Sequence, residues 1–580
     1  MNNRELADIF TLIADLSEIK GELIYKTLAY RKAAENLAGL GRDVNDYWKE
    51  DKLQEIPGVG QAIAEKIDEL LRTGKLKFLV QLKKEVPPSL AEWLKVPGLG
   101  PKKVGLIWKT LHITTLAQLE KAARAGKLSD IPGMGARSEA AVLAGIESLA
   151  RRSDRIPLGR AYPLAQEIAA ALKKVEGVVA VEPAGSLRRM RSTVGDIDIL
   201  VASRNSGPVM EAFTHLPGVA RVLGKGDTKS SVKFGDGVRA QVWVHPPERF
   251  GTALQYATGS KDHNVALREL ALAKGLSLSE HALTRTDGTG EILCAKEEEV
   301  YVALGLPWIP PELREDRGEV QAAKTGKLPK LIERKDIIAD FHVHTTWSDG
   351  SLSILEMAKA AAKRGIRLMA VTDHSAGLGV AGGLDIARHK QQAAEIRRAQ
   401  AELGDRILLL HGSEVEIHAD GTLDYPDEFL SSLDIVVASL HASLRQPREK
   451  VTQRAINAVR NPNVDILGHP TGRLIPDREG ADLDMEAVFA AAAESGVALE
   501  INSHPSRLDL DDVHARRARE LGIPICIDTD SHSEDDLDRL FYGVAIARRA
   551  WLTKVDVINA WPVEKVLAWL KNRGRKLNAA

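Results

Sequence analysis

Two carboxylates at alternate positions of a predicted strand are the clearest sign of chemistry in this sequence. Asp196 and Asp198 follow a Gly185-Ser186 turn and a basic stretch, and residues two apart on a strand point to the same face. Paired carboxylates hold hard cations, and free N–H groups at a helix start bind phosphate. The stretch therefore predicts a site for a metal-bound triphosphate, as in nucleotidyl transfer.

Histidines and carboxylates at the ends of predicted strands form a second candidate site, in the C-terminal part of the chain. This part holds 11 of the 16 histidines, and most of them follow an apolar run. The carboxyl ends of parallel strands meet at one mouth of a barrel, so we expect these side chains to converge. Mixed imidazole and carboxylate ligands suit Mn²⁺, Zn²⁺ or Fe²⁺, and such a cluster activates water for phosphoester hydrolysis.

A motif of the form apolar-Pro-Gly-apolar-Gly occurs three times in the N-terminal part, at residues 56–60, 96–100 and 131–135. Its glycines allow a tight turn, and the helix that follows presents free N–H groups to a phosphate oxygen. One copy suits a corner of a helical bundle equally well, but three copies resemble the helix-hairpin-helix module, which holds DNA backbone without reading sequence. The glycines assigned to DNA contact are Gly58, Gly60, Gly98, Gly100, Gly133 and Gly135.

The spacing of apolar residues divides the rest of the chain. From about Ile156, short apolar strands and helical segments predict an α+β domain. A charged stretch follows Pro310-Pro311 and is interpreted as a linker. From Ile337 onward, strand, loop and helix repeat, which predicts a parallel α/β barrel. The predicted strands are 178–181, 196–201, 240–244 and 292–293, then 337–344, 368–372, 407–410, 435–439, 464–467, 497–501 and 525–527.

Length and composition limit what these sites can belong to. With 580 residues, 44% apolar and 27% charged, the chain is long enough for several soluble domains. The net charge of −1 hides basic clusters in the N-terminal half, so whole-chain charge decides nothing about nucleic acid. Cys294 and Cys526 lie far apart and are interpreted as buried apolar fillers. Finding no signal peptide and no long apolar run, we expect a cytoplasmic protein without membrane contact.

The stretch 185–198 resembles the active-site signature of DNA polymerase family X, the group that contains polymerase beta. By that resemblance Ser186 and Arg189 hold the incoming dNTP, together with Gly185 and Gly195. Asp196 and Asp198 would bind two Mg²⁺ or Mn²⁺ ions, which support attack of a primer 3′ hydroxyl on the α-phosphate.

Two further segments extend this resemblance. Residues 256–260 are similar to the sugar-contacting turn of the family, so Tyr256 and Gly259 are assigned to the nucleotide. The second residue of the turn is Ala257 where the family has an aromatic, which leaves Tyr256 to discriminate against ribose. Asn264 and Arg268 correspond to contacts with the nascent base pair and the template strand.

One residue departs from the family pattern in the palm. The third carboxylate is expected on a neighbouring strand, within residues 239–247, and Gln241 stands at its position. A neutral amide is a poor base and binds a hard dication weakly. We therefore expect polymerisation that is impaired, dependent on Mn²⁺ or absent.

Lys66 is a candidate for a second reaction of the N-terminal part. Residues 60–69 resemble the polymerase beta segment that carries a Schiff-base lysine, which corresponds to Lys66. Its amine would attack an abasic sugar and release it by β-elimination, with Lys26 and Tyr30 near the 5′ phosphate. Ala62 replaces a phosphate-binding lysine of the family, and the alternative is that Lys66 only touches the DNA backbone.

The C-terminal part, residues 336–572, resembles the PHP (polymerase and histidinol phosphatase) domain. The resemblance implies a cluster of three metal ions with Glu414 as the bridge. Its nine ligands would be His342, His344, Asp349, His374, Glu414, His441, His469, Asp530 and His532. Arg473 and Arg507, just beyond two strand ends, are candidate phosphate clamps, and surface salt bridges are the alternative for both.

Together these resemblances predict a multidomain protein of the bacterial family X type. The fold would combine α-helical helix-hairpin-helix domains, an α+β nucleotidyltransferase palm and thumb, and a C-terminal PHP barrel of distorted TIM type. The expected domains are 1–85 (lyase-like), 86–155 (helix-hairpin-helix), 156–250 (palm), 251–315 (nascent-pair-binding), 316–335 (linker) and 336–572 (PHP).

The function implied is DNA repair by gap filling and by metal-dependent 3′–5′ exonuclease or 3′-end processing, within base excision repair. The expected partners are dNTPs and gapped, nicked or 3′-recessed DNA, bound by a monomer without sequence specificity. Two alternatives stay open. In one, a polymerase-inactive N-terminal half delivers DNA ends to the nuclease; in the other, the PHP domain hydrolyses a small phosphomonoester.

Overall fold

The computed structural model describes residues 1, 3–38, 44–56, 58–96, 99–153, 155–575 and 577. The chain forms two compact units, residues 1–154 and 155–580. Gly98, one of the predicted DNA contacts, lies outside the described residues.

The first unit is helical and is built around its own apolar core. In α4 the buried residues Ile63, Ile67 and Leu70 recur every three or four positions, which is the spacing that keeps one helix face on a core. Gly74 ends this helix in the left-handed region, with φ of 68°. The helices are α1 (Asn3–Lys20), α2 (Ile24–Ala38), α3 (Val44–Lys49), α4 (Gln61–Thr73), α5 (Lys77–Glu85), α6 (Pro101–Leu111), α7 (Leu116–Arg124) and α8 (Ala136–Ser153).

The second unit begins with an α+β palm around a five-stranded sheet. The strand order is β2-β4-β7-β6-β5, and β4 and β7 are parallel while the other neighbours are antiparallel. The elements are β1 (Ile156–Pro157), α9 (Leu158–Leu172), β2 (Val178–Pro183), α10 (Gly185–Arg188), β3 (Thr193–Val194), β4 (Ile197–Ser203), α11 (Ser206–Thr214), β5 (Val219–Lys225), β6 (Lys229–Phe234) and β7 (Arg239–His245).

Successive side chains of strand β4 point to opposite faces of the palm sheet. Ile197 and Ile199 belong to the apolar cluster that includes α9 and α11, whereas Leu200 packs with residues of α12. Asp198 is in phase with Leu200, and it therefore lies on the face opposite α9 and α11. Asp196 directly precedes the strand rather than lying within it, one residue away from the prediction.

The thumb and the segment after it follow the palm without a break. Their elements are α12 (Phe250–Thr258), α13 (Lys261–Ala273), β8 (Leu276–Leu278), β9 (Leu283–Arg285), β10 (Glu291–Ile292), α14 (Glu297–Ala303) and α15 (Glu319–Lys324). Helix α15 lies inside the stretch interpreted as a linker. Arg314 and Glu319 there are completely buried, and Ile332 is buried in the core, so this segment is a packed connection.

The C-terminal part is a barrel of seven parallel strands in sequential order. A bridge between Val343 and Ser531 joins the continuations of the first and last strands, which nearly closes the barrel. The strands are β11 (Ala339–Asp340), β12 (Leu368–Val371), β13 (Leu408–Glu416), β14 (Ile435–Ser439), β15 (Ile466–Gly468), β16 (Ala498–Asn502) and β17 (Ile525–Asp528). The helices are α16 (Ile354–Lys363), α17 (Ile386–Leu403), α18 (Asp427–Leu430), α19 (Arg448–Arg460), α20 (Met485–Ser495), α21 (Asp512–Glu520), α22 (Leu540–Arg549) and α23 (Val563–Asn572).

Palm and barrel share one apolar core. Buried side chains of α9 and β4 belong to the same continuous cluster as those of α22 and the barrel strands. Tyr162 of α9 lies against Phe541 of α22, with 5.0 Å between the ring centroids. The second unit is therefore continuous across the boundary between its palm and its barrel.

The prediction for the two cysteines is confirmed. Cys294 and Cys526 are both buried and unpaired, as expected of apolar fillers. None of the helices in the described part of the chain combines the length and apolar content needed to cross a bilayer.

Candidate active sites

All nine predicted metal ligands converge at the carboxyl end of the barrel. His342 and His344 follow β11, His374 follows β12, Glu414 lies in β13, and the remaining ligands follow later strands or occupy the loop after β11. Their ligand atoms lie within 4.8 Å of one another in four groups. The groups are His344, Asp349, His374 and His532; His342, His344 and Asp530; His342, Glu414 and His469; and His374, Glu414 and His441.

Glu414 is the centre of this cluster. Its Oε2 lies 2.7 Å from His374 Nδ1 and 3.3 Å from His342 Nε2. Its Oε1 lies 2.9 Å from His469 Nε2 and 3.2 Å from His441 Nε2. Each carboxylate oxygen thus faces a different pair of imidazoles, which is the arrangement of a bridging ligand.

The donor atoms of the cluster fit metal ions. Both oxygens of Glu414, and ring nitrogens of five of the histidines, are buried without a hydrogen-bond partner among the described residues. Buried polar atoms are otherwise almost always paired, and here they point at one another across a few ångströms. Such a set of nitrogen and oxygen atoms suits Mn²⁺, Zn²⁺ or Fe²⁺.

Two of the histidine ligands are held in the neutral form that binds a metal. Burial lowers the pKa of His344 to about 4, and His374 and His532 add to this effect. Burial and Arg507 lower the pKa of His469 to about 3. Both imidazoles are therefore neutral at physiological pH, and a neutral imidazole is the form that ligates a metal.

Two glutamates that the sequence reasoning missed orient the histidines from behind. Glu500 Oε1 lies 2.7 Å from His342 Nδ1, and Glu416 Oε2 lies 2.7 Å from His441 Nδ1. Such contacts fix which ring nitrogen faces the metal. The signal was available, because Glu416 lies two residues after Glu414 in β13 and Glu500 stands between apolar residues in β16.

Only one of the two predicted phosphate clamps reaches the cluster. Arg507 Nε lies 3.3 Å from Asp530 Oδ2, and its Nη1 is buried without a partner among the described residues. Arg473 instead donates to the backbone oxygens of Arg507 and Leu508 and lies near Asp511. Arg473 therefore supports the loop that carries Arg507, and it does not face the cluster.

The palm brings its two predicted carboxylates together with the Gly-Ser turn. Gly185 has φ of 62°, and a Cβ atom there would lie 2.5 Å from Asp198 Oδ2. Only glycine fits at this position. Burial raises the pKa of Asp198 to about 7, and the neighbouring Asp196 adds to this effect. A bound dication would relieve this repulsion, so the pair fits a metal site.

Gln241 occupies the position next to these carboxylates. It is paired with Asp198 across β4 and β7, and its amide Nε2 donates a hydrogen bond to Asp196 Oδ2. The side chain thus lies beside both acids, at the position where the resemblance expects a third carboxylate. Two other acids of the palm are engaged elsewhere: Asp236 pairs with Arg160 and Glu248 with Arg204.

The other residues assigned to the nucleotide or the DNA differ in burial and in hydrogen bonding. Ser186 and Tyr256 are half-buried, and Gly195 is exposed. Arg189 donates to the carbonyl oxygen of Thr258, which places it beside Gly259. Asn264 is committed to Gln255 and the carbonyl oxygen of Tyr256, both at 2.8 Å, whereas Arg268 is exposed to solvent.

The hairpin motifs of the first unit place glycines at helix starts. Gly60 and Gly100 precede α4 and α6 in extended conformation, with φ of −79° and −84°. Gly60, Gly100 and Gly135 are exposed, and nothing lies within 4 Å of a Cβ placed on them. Gly58 and Gly133 have φ of 76° and 87°, as the tight turn requires.

Lys66 lies within an aromatic environment in the same unit. Its Nζ is 5.9 Å from the ring centroid of Tyr30 and 5.4 Å from that of Phe78, and it donates to the carbonyl oxygen of Ala62 at 3.0 Å. Lys66 and Tyr30 are therefore neighbours, as the resemblance implied, and Lys26 is exposed on α2.

These folds and sites define a class: a polymerase beta-like palm and thumb that carries helix-hairpin-helix modules and a PHP barrel. Family comparisons agree. Residues 253–315 match the DNA polymerase beta thumb and residues 340–504 the PHP domain. Residues 1–76 match a helix-hairpin-helix domain and residues 91–148 a SAM-like helix-hairpin-helix tandem.

The relatives identify the family. The chain is 39% identical to the DNA polymerase/3′-5′ exonuclease PolX of Bacillus subtilis (strain 168) over 574 residues, which cover 98% of this chain and all of that protein. It belongs to the bacterial PolX family of DNA polymerase family X. The C-terminal part is also similar to probable phosphatases. One from Thermoanaerobacter sp. (strain X514) is 33% identical over 42% of this chain and 97% of that protein. Another from Shewanella oneidensis is 32% identical over 41% and 92%.

Proposed function

We propose that the protein is a DNA-repair enzyme with two active sites: the palm adds nucleotides to a primer, and the PHP barrel removes them in the 3′ to 5′ direction. The observation that carries the proposal is the set of buried, unpartnered ligand atoms around Glu414. The relative that matches this chain along its whole length is named a DNA polymerase/3′-5′ exonuclease.

In the barrel, three divalent ions, Mn²⁺, Zn²⁺ or Fe²⁺, would be held by the nine ligands. Ions in such a cluster activate water and neutralise the charge of a phosphodiester. Arg507 supplies a guanidinium at the edge of the cluster, where it would bind a phosphate oxygen of the 3′-terminal nucleotide. Glu416 and Glu500 keep two of the imidazoles in register.

In the palm, Asp196 and Asp198 would hold Mg²⁺ or Mn²⁺ with the triphosphate, next to Gly185, Ser186 and Arg189. The hydrogen bond from Gln241 to Asp196 supports a weakened reaction, because it engages one ligand oxygen with a neutral amide. We therefore propose slow polymerisation that is stronger with Mn²⁺ than with Mg²⁺.

The proposed substrate is gapped, nicked or 3′-recessed DNA, with dNTPs as the second substrate and a monomer as the active form. The exposed glycine turns of the hairpins support contact with the phosphate backbone. We propose that the domains have the boundaries expected from the sequence and that the protein is cytoplasmic. Release of an abasic sugar by Lys66 is a further proposal, supported by its position beside Tyr30.

A second candidate function is a DNA-binding scaffold without polymerase activity, and Gln241 favours it. Hydrolysis of a small phosphomonoester, suggested by the names of the relatives that match the C-terminal part, is less well supported here. The same chain carries three hairpin motifs that suit DNA.

One experiment separates these functions. A labelled primer on a one-nucleotide gap is incubated with dNTP and Mg²⁺ or Mn²⁺, and extension and shortening are both followed. We expect Asp198→Ala to abolish extension and to leave shortening intact, and His344→Ala to do the reverse.

Matched control variants are available in each domain. Asp236→Ala removes an exposed palm carboxylate that pairs with Arg160, and His418→Ala removes a half-buried histidine that lies near Asp424, outside the metal cluster. Both should behave as wild type. Extension that survives Asp198→Ala would refute the palm assignment, and normal shortening by His344→Ala would refute the nuclease assignment. A wild type that only shortens the primer would establish the scaffold alternative.

A further inference from the structure

Arg189, which is assigned to the triphosphate, is held by residues outside the palm. Its Nε donates to Glu315 Oε1 at 3.0 Å, and its Nη1 donates to the carbonyl oxygen of Thr258 at 2.5 Å. Only 13% of the side chain is exposed. The direction of this guanidinium is therefore set largely by Glu315, which lies at the end of the thumb.

Arg549 of the barrel contacts both Arg189 and Glu315. It ends helix α22, and 1% of its side chain is exposed. Its Nη1 donates to the backbone carbonyl of Arg189 at 2.6 Å and to Glu315 Oε1 at 3.0 Å. Its Nη2 donates to Asp512 Oδ2 at 2.8 Å, and that oxygen also accepts from Arg317. One buried side chain of the nuclease domain thus binds both the backbone of Arg189 and the carboxylate that orients it.

The cluster carries an excess of positive charge. Burial by itself would raise the pKa of Glu315, but Arg549, Arg189 and Arg191 outweigh it and hold the pKa below its usual value. The carboxylate is therefore ionised at neutral pH. The four guanidinium groups of Arg189, Arg191, Arg317 and Arg549 face the two carboxylates of Glu315 and Asp512. Such an excess favours an anion beside Arg189, whose backbone N–H donates to the carbonyl oxygen of Gly185 at 3.3 Å.

We propose that Arg549 is a positioning residue of the polymerase site: it holds the Arg189 turn and Glu315 in the geometry that binds the triphosphate. The nuclease domain then helps to set the affinity of the palm for dNTP. Arg549 acts through Arg189 and has no assigned contact with the reacting atoms. The inference rests on the proposed nucleotidyl transfer and on the assignment of Arg189 to the triphosphate.

The test measures triphosphate binding and turnover separately in the full-length protein. Binding of the dNTP that complements the template is titrated on gapped DNA whose primer ends in a dideoxynucleotide joined by a phosphorothioate, with Mn²⁺. For Arg549→Gln we expect the Kd, and the KM in single-nucleotide insertion, to rise about tenfold, because preorganisation of a ligand is lost. The kcat of insertion should change less than about threefold, and Arg549→Lys should recover part of the affinity.

The neighbouring Arg548 provides the matched control. It lies on the same helix and donates to Glu312 Oε1 at the end of the thumb at 2.7 Å and to the carbonyl oxygen of Ile332 in the following segment at 3.1 Å, but it does not touch Arg189. Arg548→Gln should leave the dNTP affinity at the wild-type value. Primer shortening by the barrel should be unchanged in every variant.

A double-mutant cycle distinguishes the loss of this specific connection from a general loss of folding stability. Glu315→Gln breaks the same connection from the other side, so the double variant Glu315→Gln with Arg549→Gln should bind dNTP no more weakly than either single variant. Additive losses, or an unchanged Kd for Arg549→Gln, would overturn the inference. A wild type that binds dNTP but adds no nucleotide would contradict the proposed polymerase activity and leave this inference standing.

Discussion

At the scale of single residues, the two sites differ in how completely they are built. Around Glu414 every expected ligand is in place. Each of its carboxylate oxygens lies 2.7–3.3 Å from the nitrogens of the two nearest imidazoles. Beside Asp196 the third position carries the amide of Gln241, which donates a hydrogen bond to a carboxylate that should bind a cation. This difference predicts a strong nuclease and a weak polymerase.

Gln241→Asp should strengthen nucleotide insertion. The new carboxylate would remove the competing hydrogen bond to Asp196, add a ligand for the dication and provide a base for the primer hydroxyl. We expect kcat/KM to rise about tenfold or more with Mg²⁺, since general-base catalysis alone contributes a hundredfold or more when fully effective. Single-nucleotide insertion on a one-nucleotide gap measures the effect.

Gln241→Asn is the control for this prediction. It shortens the side chain to the length of Asp but keeps it neutral, so insertion should stay at or below the wild-type rate. Equal rates for the Asp and Asn variants would show that charge at position 241 is not what limits the reaction.

A buried histidine of the barrel outside the metal cluster gives a prediction on pH. His389 is fully buried beside Tyr425, and its Nδ1 lies 3.3 Å from His411 Nε2. Burial and the neighbouring His411 lower the pKa of His389 to about 3. Below pH 6.5 this histidine is protonated in the unfolded chain but stays neutral in the folded chain. The free energy of unfolding is therefore highest above this pH and falls as the pH decreases towards 3. Between pH 7 and pH 5 this residue alone should cost about 2 kcal/mol.

Replacing the residue tests this account. His389→Leu should make the free energy of unfolding of the second unit less dependent on pH by about that amount, whatever its effect at pH 7. The measurement is urea unfolding at pH 5, 6 and 7. His418→Leu removes a half-buried histidine that does not contact His389 and should keep the wild-type slope. A His389→Leu slope equal to that of wild type would contradict the prediction.

At the scale of elements, the hairpins separate helix stability from DNA contact. Gly60 and Gly100 occupy the N-cap positions of α4 and α6 and make no side-chain cap. Asp is a better N-cap residue than Gly, but its charge would repel a DNA phosphate at the same helix start. The two properties should therefore change in opposite directions.

Gly60→Asp and Gly100→Asp should each raise or preserve the melting temperature of the first unit and weaken DNA binding. We expect about a fivefold to tenfold loss of affinity per site at low salt, with a smaller loss at higher salt, since the repulsion is electrostatic. Fluorescence anisotropy with gapped DNA measures it. Serine at the same positions caps the helix without charge and should bind DNA almost as tightly as wild type. Equal weakening by Ser and Asp would indicate a steric effect instead.

At the scale of the whole molecule, the barrel is part of the scaffold of the polymerase. The palm helix α9 and the barrel helix α22 lie in one apolar core. The segment between thumb and barrel packs against the thumb and against the barrel. The first unit has a separate core. Removing the barrel should therefore damage the palm, whereas removing the first unit should not.

Fragments test this division. A fragment of residues 155–335 should unfold roughly 10 °C or more below the palm in a fragment of residues 155–580, because several buried apolar side chains lose their partners. A fragment of residues 1–154 should melt cooperatively by itself. Circular dichroism with thermal melting gives the midpoints, and binding of a hydrophobic dye reports the exposed surface. Equal melting midpoints for the palm in the fragments 155–335 and 155–580 would show that the shared core adds no stability.

The sequence by itself determined the chemistry of both sites and the elements that carry them. Strand-end histidines and the alternating Asp196 and Asp198 are local patterns, since side-chain direction in a strand depends only on position, and the seven parallel strands follow from repeated strand, loop and helix. The hairpin glycines are equally local, because a turn of that geometry restricts its residues.

Only the tertiary structure decided which residues meet across those elements. It placed Gln241 against Asp196, turned Arg473 away from the cluster, and brought Glu416 and Glu500 behind the histidines. It also showed that the charged stretch interpreted as a linker is packed, and it joined Arg549 to Arg189 across 360 residues of sequence. The physical reason is common to all of these: contacts between distant segments depend on burial and on charge pairing in the assembled core, and no local spacing records them.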